Sequence, residues 1–326
     1  MKTKQRTLAV LLVLVAVLGG LLWAVSRSNA AEEAASSAAA EGSIQLSSFA
    51  VADLSSIRYT YNGETFTLEY DSGSWTLAED PAYHLDTSAC STMATALSSM
   101  NAKRKLSGQS GEDYGLTDPV VTVTVTAAGE TATFLFGDEN PVTGDQYVQK
   151  AGDDAVYTVS GSRAACFELD KAGLFGSFCP AGLTASALEK LSITTGSGTL
   201  ALTAVSEPAD SSASSEADSD ASAYQTVWHL DDAPDETLDD TAVQSLLSAV
   251  AGYVSAQVTE ADPAAYGFDA PLATVQAVTA DGTVTLRYAS NAGGYWMQVE
   301  GDSAVYAVNV DTLNTLLQTA DAYKTE

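Results

Sequence analysis

The sequence predicts an α+β protein: two tandem copies of an antiparallel-sheet module with a helix packed on one face, after one N-terminal transmembrane helix. Three observations predict it. A set of motifs recurs in the same order, several stretches alternate apolar and polar residues, and one long uncharged run lies near the start.

The repeat organises everything else. Trp75, Thr76 and Leu77, followed by Pro81, return as Trp228, His229 and Leu230, followed by Pro234. Residues 85–100 (LDTSACSTMATALSSM) return as 238–253 (LDDTAVQSLLSAVAGY). Tyr114-Gly115-Leu116 with Pro119 returns as Tyr266-Gly267-Phe268 with Pro271, and residues 156–159 (VYTV) return as 305–308 (VYAV). Upstream, residues 65–70 align with 199–204. The second copy therefore carries a longer insertion before its tryptophan, the acidic Ser/Ala/Asp run within 206–223. Where the first copy has a tight turn, the second has a lengthened hairpin loop whose composition cannot support a core, and disorder is expected there.

Each element has a local reason. Residues 57–61 and 65–70 flank Asn62-Gly63, a pair suited to a two-residue hairpin. Trp75 to Leu77 forms a third strand. A helix starts near Asp86, an acceptable N-cap, with Cys90, Met93, Leu97 and Met100 at helical spacing. The second copy has Val243, Leu246, Val250 and Tyr253 at those positions. Strands follow at 120–126, 131–136, 147–150 and 156–159, and a short helix closes each copy at about 163–174 and 311–320. Trp75 and Trp228 are expected at equivalent core positions. Gly115 and Gly267 are expected at positive φ in a structural corner.

Residues 8–25 form an uncharged apolar run, preceded by Lys2, Lys4 and Arg6 and followed by Arg27. That length suits a membrane span with a cytoplasmic basic head. A cleaved signal peptide ending at Ser28-Asn29-Ala30 is the competing reading. The expected organisation is an anchor at 1–28, a flexible tether at 29–43, module one at 44–180 and module two at 181–326, placing the body outside the cell membrane.

Composition excludes some functions and the repeat tests others. With 14 Lys and Arg against 42 Asp and Glu, net charge −28, the surface repels nucleic acid. The two histidines, His84 and His229, align with Thr237 and Thr76, so neither serves chemistry common to both copies. Three cysteines, at 90, 166 and 179, make no CxxC motif, and only Cys166 and Cys179 are close enough in sequence to suggest a bridge. The pairs Asp138-Glu139, Asp153-Asp154, Asp231-Asp232 and Asp239-Asp240 fit no calcium-loop spacing. The acidic loop 137–145 is special to the first copy and leaves a metal contact open. No residue is assigned as catalytic, cofactor-binding or metal-ligating, and no cofactor is expected.

W-x-L-x-x-x-P, then a helix, then Y-G-L-x-x-P, then strands ending F-G-D and V-Y-x-V, resemble the DUF4340 family of bacterial proteins. The likeness spans about residues 44–320. The second copy departs at Phe268, Ala289 and Ser290, where the first has Leu116, Gly137 and Asp138. The resemblance implies a membrane-anchored, non-catalytic accessory or binding protein beside an ABC-type export system of the gliding-motility kind, with permease or auxiliary subunits as partners. The alternative is a cell-surface carbohydrate-active hydrolase using paired carboxylates that the sequence does not single out.

Overall fold

A computed structural model describes residues 44–106, 114–208 and 224–325. The chain divides into two compact units: Met1–Glu79 with Ser88–Asp170, and Asp80–Thr87 with Lys171–Glu326.

The first unit contains β1 (Ile44–Ser48), β2 (Leu54–Tyr61), β3 (Glu64–Asp71), β4 (Ser74–Leu77), nearly all of α1 (Thr87–Ser98), β5 (Ser99–Ala102), β6 (Arg104–Leu106), β7 (Val121–Ala127), β8 (Glu130–Glu139), β9 (Asp145–Lys150), β10 (Val156–Ser160) and α2 (Gly161–Ala165). Eight of these strands form one antiparallel sheet in the order β4-β3-β2-β7-β8-β9-β10-β6, and β1 pairs separately with β5. The Asn62-Gly63 turn is built as expected, with φ of 50° and 79°. Strict alternation along β7 buries Val121, Val123 and Val125, and α1 buries Cys90, Met93, Ala94 and Leu97.

The second unit contains β11 (Lys190–Thr195), β12 (Gly198–Pro208), β13 (Tyr224–Leu230), α3 (Asp240–Val250), β14 (Ala256–Val258), β15 (Ala273–Thr279), β16 (Gly282–Asn291), β17 (Gly294–Val299), β18 (Val305–Ala307) and α4 (Val310–Leu316). Its sheet runs β13-β12-β11-β15-β16-β17-β18-β14, which repeats the first sheet strand for strand. The two sheets, each with its helix, are tandem α+β modules. The core gathers Leu191, Ile193, Trp228, Leu230, Val243, Leu246, Val250, Val275, Leu286 and Tyr288.

The structure corrects several expectations. The fold class included a membrane-spanning helix. Among the described residues no helix is long and apolar enough to cross a membrane. The longest, α1, has 12 residues, about 18 Å at 1.5 Å per residue, against a hydrocarbon core of about 30 Å. The anchor at 1–28 and the tether at 29–43 lie outside the described residues. So do residues 209–223 of the acidic run, while the flanking strands stay paired out to Pro208 and Tyr224.

Tyr253 is 74 % exposed, because α3 ends at Val250 and its face does not extend that far. Met100 is buried as expected, but on β5 rather than on the helix. The closing helices are shorter than expected: α2 stops at Ala165, and α4 gives way to a 3-10 turn at Ala320–Tyr323. Trp228 lies in the core at 7 % exposure. Trp75, at the equivalent register position, is only half-buried and packs at a tilt against Tyr70, with ring centres 4.7 Å apart.

Candidate functional site

Three constellations hold polar chemistry, and the repeat separates their roles. The first is a turn between two strands. Tyr157 donates to Asp153 Oδ2 at 2.7 Å, the Ala155 amide donates to Asp153 Oδ1 at 2.9 Å, and Gln149 Nε2 donates to the Asp153 carbonyl at 2.9 Å. The second unit repeats all three bonds at Tyr306, Ala304 and Gln298 around Asp302, at 2.6, 2.9 and 2.9 Å. Each carboxylate caps its own turn, a structural use.

The Tyr157 hydroxyl holds the Asp153 carboxyl below its usual range, with the Ala155 amide assisting, and the same bond raises Tyr157. The lowered carboxyl gives stability above about pH 4 that is lost as pH falls through the depressed value; the raised phenol gives stability below about pH 10 that is lost on further alkalinisation. Asp153→Asn is expected to flatten the acid limb of protection at the Ala155 amide, read by hydrogen exchange from about pH 5 downward. An unchanged acid profile would show that the carboxylate does not set the turn.

The second constellation is the Tyr-Gly corner. Gly115 and Gly267 have φ of 71° and 88°. A Cβ on Gly115 would meet Asp138 at 2.6 Å, and one on Gly267 would meet the Ser290 carbonyl oxygen at 2.6 Å. Tyr114 packs on Tyr147 at 4.4 Å, and Tyr266 packs edge-on against Trp296 at 4.7 Å. In the second unit Phe268, next to this corner, clusters with Ala289 and Val305, and Tyr266 and Trp296 pack against them.

The third constellation belongs to the second unit alone. There Asp80–Thr87 runs antiparallel to the edge strand β14. Gln257, on β14, donates from Nε2 to the Ala82 carbonyl at 3.1 Å and accepts from the His84 amide through Oε1 at 2.8 Å. Two residues on, Thr259 donates to Asp80 Oδ2 at 2.8 Å, an oxygen that also accepts from Lys171 at 2.8 Å. The His84 ring stacks on Phe178 at 3.9 Å, and Nδ1 faces the Gly176 carbonyl at 2.9 Å. A primary amide offers one donor and one acceptor side by side, so Gln257 reads a backbone carbonyl and amide as a neighbouring strand would.

The other candidates are spent in place. His229 faces the Pro234 carbonyl at 3.0 Å and Glu207 Oε1 at 2.9 Å. All three cysteines are free, so Cys166 and Cys179 make no bridge. Burial pushes the Cys166 thiol up to about 12, away from nucleophilic use. In loop 137–145, Asp145 is buried and paired with Lys103 at 2.6 Å, while Asn140 Oδ1 accepts from the Val142 and Thr143 amides. Among the described residues no group of three or more His, Cys, Asp or Glu could hold a metal ion.

Sequence reasoning missed Gln257 and Thr259, because β14 is three residues long and carries no alternation. The available signal was the aligned pair Lys105 and Gln257, beside the basic triplet Lys103-Arg104-Lys105.

The chain matches the family described as Domain of unknown function (DUF4340) over residues 75–271 and 228–325. The chain belongs to the DUF4340 family. No curated protein and no solved structure matches it. Family membership does not carry the membrane-anchored form of the resemblance. With no membrane-spanning helix among the described residues, the single-pass topology, the extracytoplasmic placement and the attachment to an ABC permease lose their support. With that attachment goes the accessory role of this DUF4340 chain beside an export system.

Proposed function

We propose that this DUF4340 chain is a non-catalytic scaffold that captures extended polypeptide segments along the terminal strand of each sheet, β6 in the first unit and β14 in the second. The observation that carries this reading is the Gln257 clamp, which holds Ala82 and His84 by backbone groups rather than by side-chain identity. Backbone reading gives affinity for any extended chain, and flanking groups add preference. At β14 the flanking group is Thr259, bonded to an aspartate of the held segment.

In the first unit β6 takes the place of β14. Among the described residues it is the terminal strand of its sheet, hydrogen-bonded only to β10. Arg104 and Lys105 are exposed there, so its preferred segment is acidic.

Two measurements test the reading. Gln257→Ala should raise hydrogen exchange at the His84 amide about ten-fold, the loss of about one net hydrogen bond. A synthetic octapeptide alternating glutamate and valine should slow exchange across Arg104–Leu106, while a lysine–valine peptide should not. Absence of protection by the acidic peptide would remove the reading.

A further inference from the structure

We infer that the chain self-associates head to tail, with the acidic segment around Asp235 and Glu236 of one copy docking on the basic edge strand β6 of a second copy. This rests on the segment-capturing reading above and names its occupant.

The inference follows from completing the repeat. The segment held at β14 has a platform of its own: the Asp86 amide donates to the Leu174 carbonyl at 2.8 Å, Leu85 bridges Phe175, and the Gly176 amide donates to the His84 carbonyl at 2.9 Å. The second unit builds the same platform again. The Asp239 amide donates to the Tyr323 carbonyl at 2.8 Å, Leu238 bridges Lys324, and the Thr325 amide donates to the Thr237 carbonyl at 3.0 Å. Thus Asp235, Glu236 and Thr237 occupy the places of Ala82, Tyr83 and His84.

The receiving edge is duplicated with equal fidelity. Tyr157 pairs with Lys105 as Tyr306 pairs with Gln257. The Lys103 amide donates to the Thr158 carbonyl at 2.8 Å, as the Ser255 amide donates to the Ala307 carbonyl at 3.0 Å.

What changes between the copies is charge, on both sides together. On the receiving edge Ala256 and Gln257 become Arg104 and Lys105. On the presented segment Ala82 and Tyr83 become Asp235 and Glu236. Lysine has donors and no acceptor, so Lys105 cannot repeat the amide clamp, but it can meet a carboxylate. All four charged residues are exposed. Three of the chain's 14 basic residues stand at 103–105, in a protein of net charge −28. Lys103 is committed to Asp145, while Arg104 and Lys105 are exposed, Lys105 with its ammonium 5.7 Å from the centre of the Tyr157 ring. A surface of one sign presented by one unit and its complement by the other gives a heterologous contact, which propagates from copy to copy.

Sedimentation velocity of the full chain tests this. In about 0.15 M salt, where the long-range repulsion of the acidic surfaces is screened beyond about 8 Å, the sedimentation coefficient should rise as concentration increases from about 1 to about 100 µM. The double variants R104E/K105E and D235K/E236K should each remain monomeric, with dissociation constants raised at least about ten-fold. An equimolar mixture of the two should associate again, because each variant now offers the charge the other has lost; this rescue also shows that both are folded. A wild-type chain that stays monomeric throughout overturns the inference, as does association unaffected by either variant or not restored in the mixture. If the glutamate–valine peptide protects β6 while the wild-type chain stays monomeric, the self-association fails and the segment-capturing reading stands. If neither occurs, both fail.

Discussion

Trp228→Ala is expected to destabilise the second unit by about 3–5 kcal/mol, the range for removing a buried indole without collapse of its pocket. Trp228 lies mid-strand in β13 at 7 % exposure, on the same face as Leu230, and packs into the core that holds α3. Trp75→Ala should be milder, about 1–2 kcal/mol by the same cavity argument. β4 is four residues long, and Trp75 follows directly on the turn at Ser72 and Gly73, so the ring reaches the end of the sheet rather than its middle. Urea unfolding, resolved by hydrogen exchange in β12–β13 and in β3–β4, separates the two. Equal midpoint shifts for both variants would show that register position alone sets burial.

The second large effect is expected at Gly137. A Cβ there would lie 2.1 Å from the Tyr114 carbonyl oxygen and 3.1 Å from the Gly115 carbonyl carbon. Both are backbone atoms, so no side chain can swing aside, and the corner or β8 must move. Gly137→Ala should therefore destabilise the first unit by about 3 kcal/mol, the upper end for overpacking. The second unit has Ala289 at this position, buried in the small cluster with Phe268 and Val305. Its corner already accommodates the methyl, so Ala289→Gly should cost about 1 kcal/mol through backbone entropy alone. A wild-type denaturation midpoint for Gly137→Ala would mean that the Tyr-Gly corner is not a rigid support for the sheet.

Much of the fold was legible because the repeat acted as a second reading of each element. Asn62-Gly63, the alternation along 121–127 and the pairing of Gly115 with Gly267 each have a local cause, and each appears as expected. The short edge strands β6 and β14 were not legible. Three residues cannot establish a period, and Arg104 and Lys105 look like a solvated turn until β10 is seen beside them. The closing helices were overextended because helical spacing does not mark where a 3-10 turn takes over. The candidate site was hidden for a different reason. Its working group is the amide of Gln257, a residue with no titratable signature, and its ligand is backbone, which has none either. Only the non-recurrence of His84 and His229 was visible, and both prove to face backbone carbonyls, of Gly176 and Pro234.

The assignment of Asp80–Thr87 to the second unit has a consequence for dissection and for synthesis. No single cleavage yields two whole units. A fragment beginning at Lys171 has Gln257 and Thr259 without the stretch they hold, and one ending at Asp170 carries that stretch without Gln257 and Thr259. During translation the stretch emerges ahead of α1, long before β14 exists. The bonds that fix the approach to α1 are therefore completed only when the last strands of the chain have been made, so the early half of the protein finishes its folding on the late half's schedule.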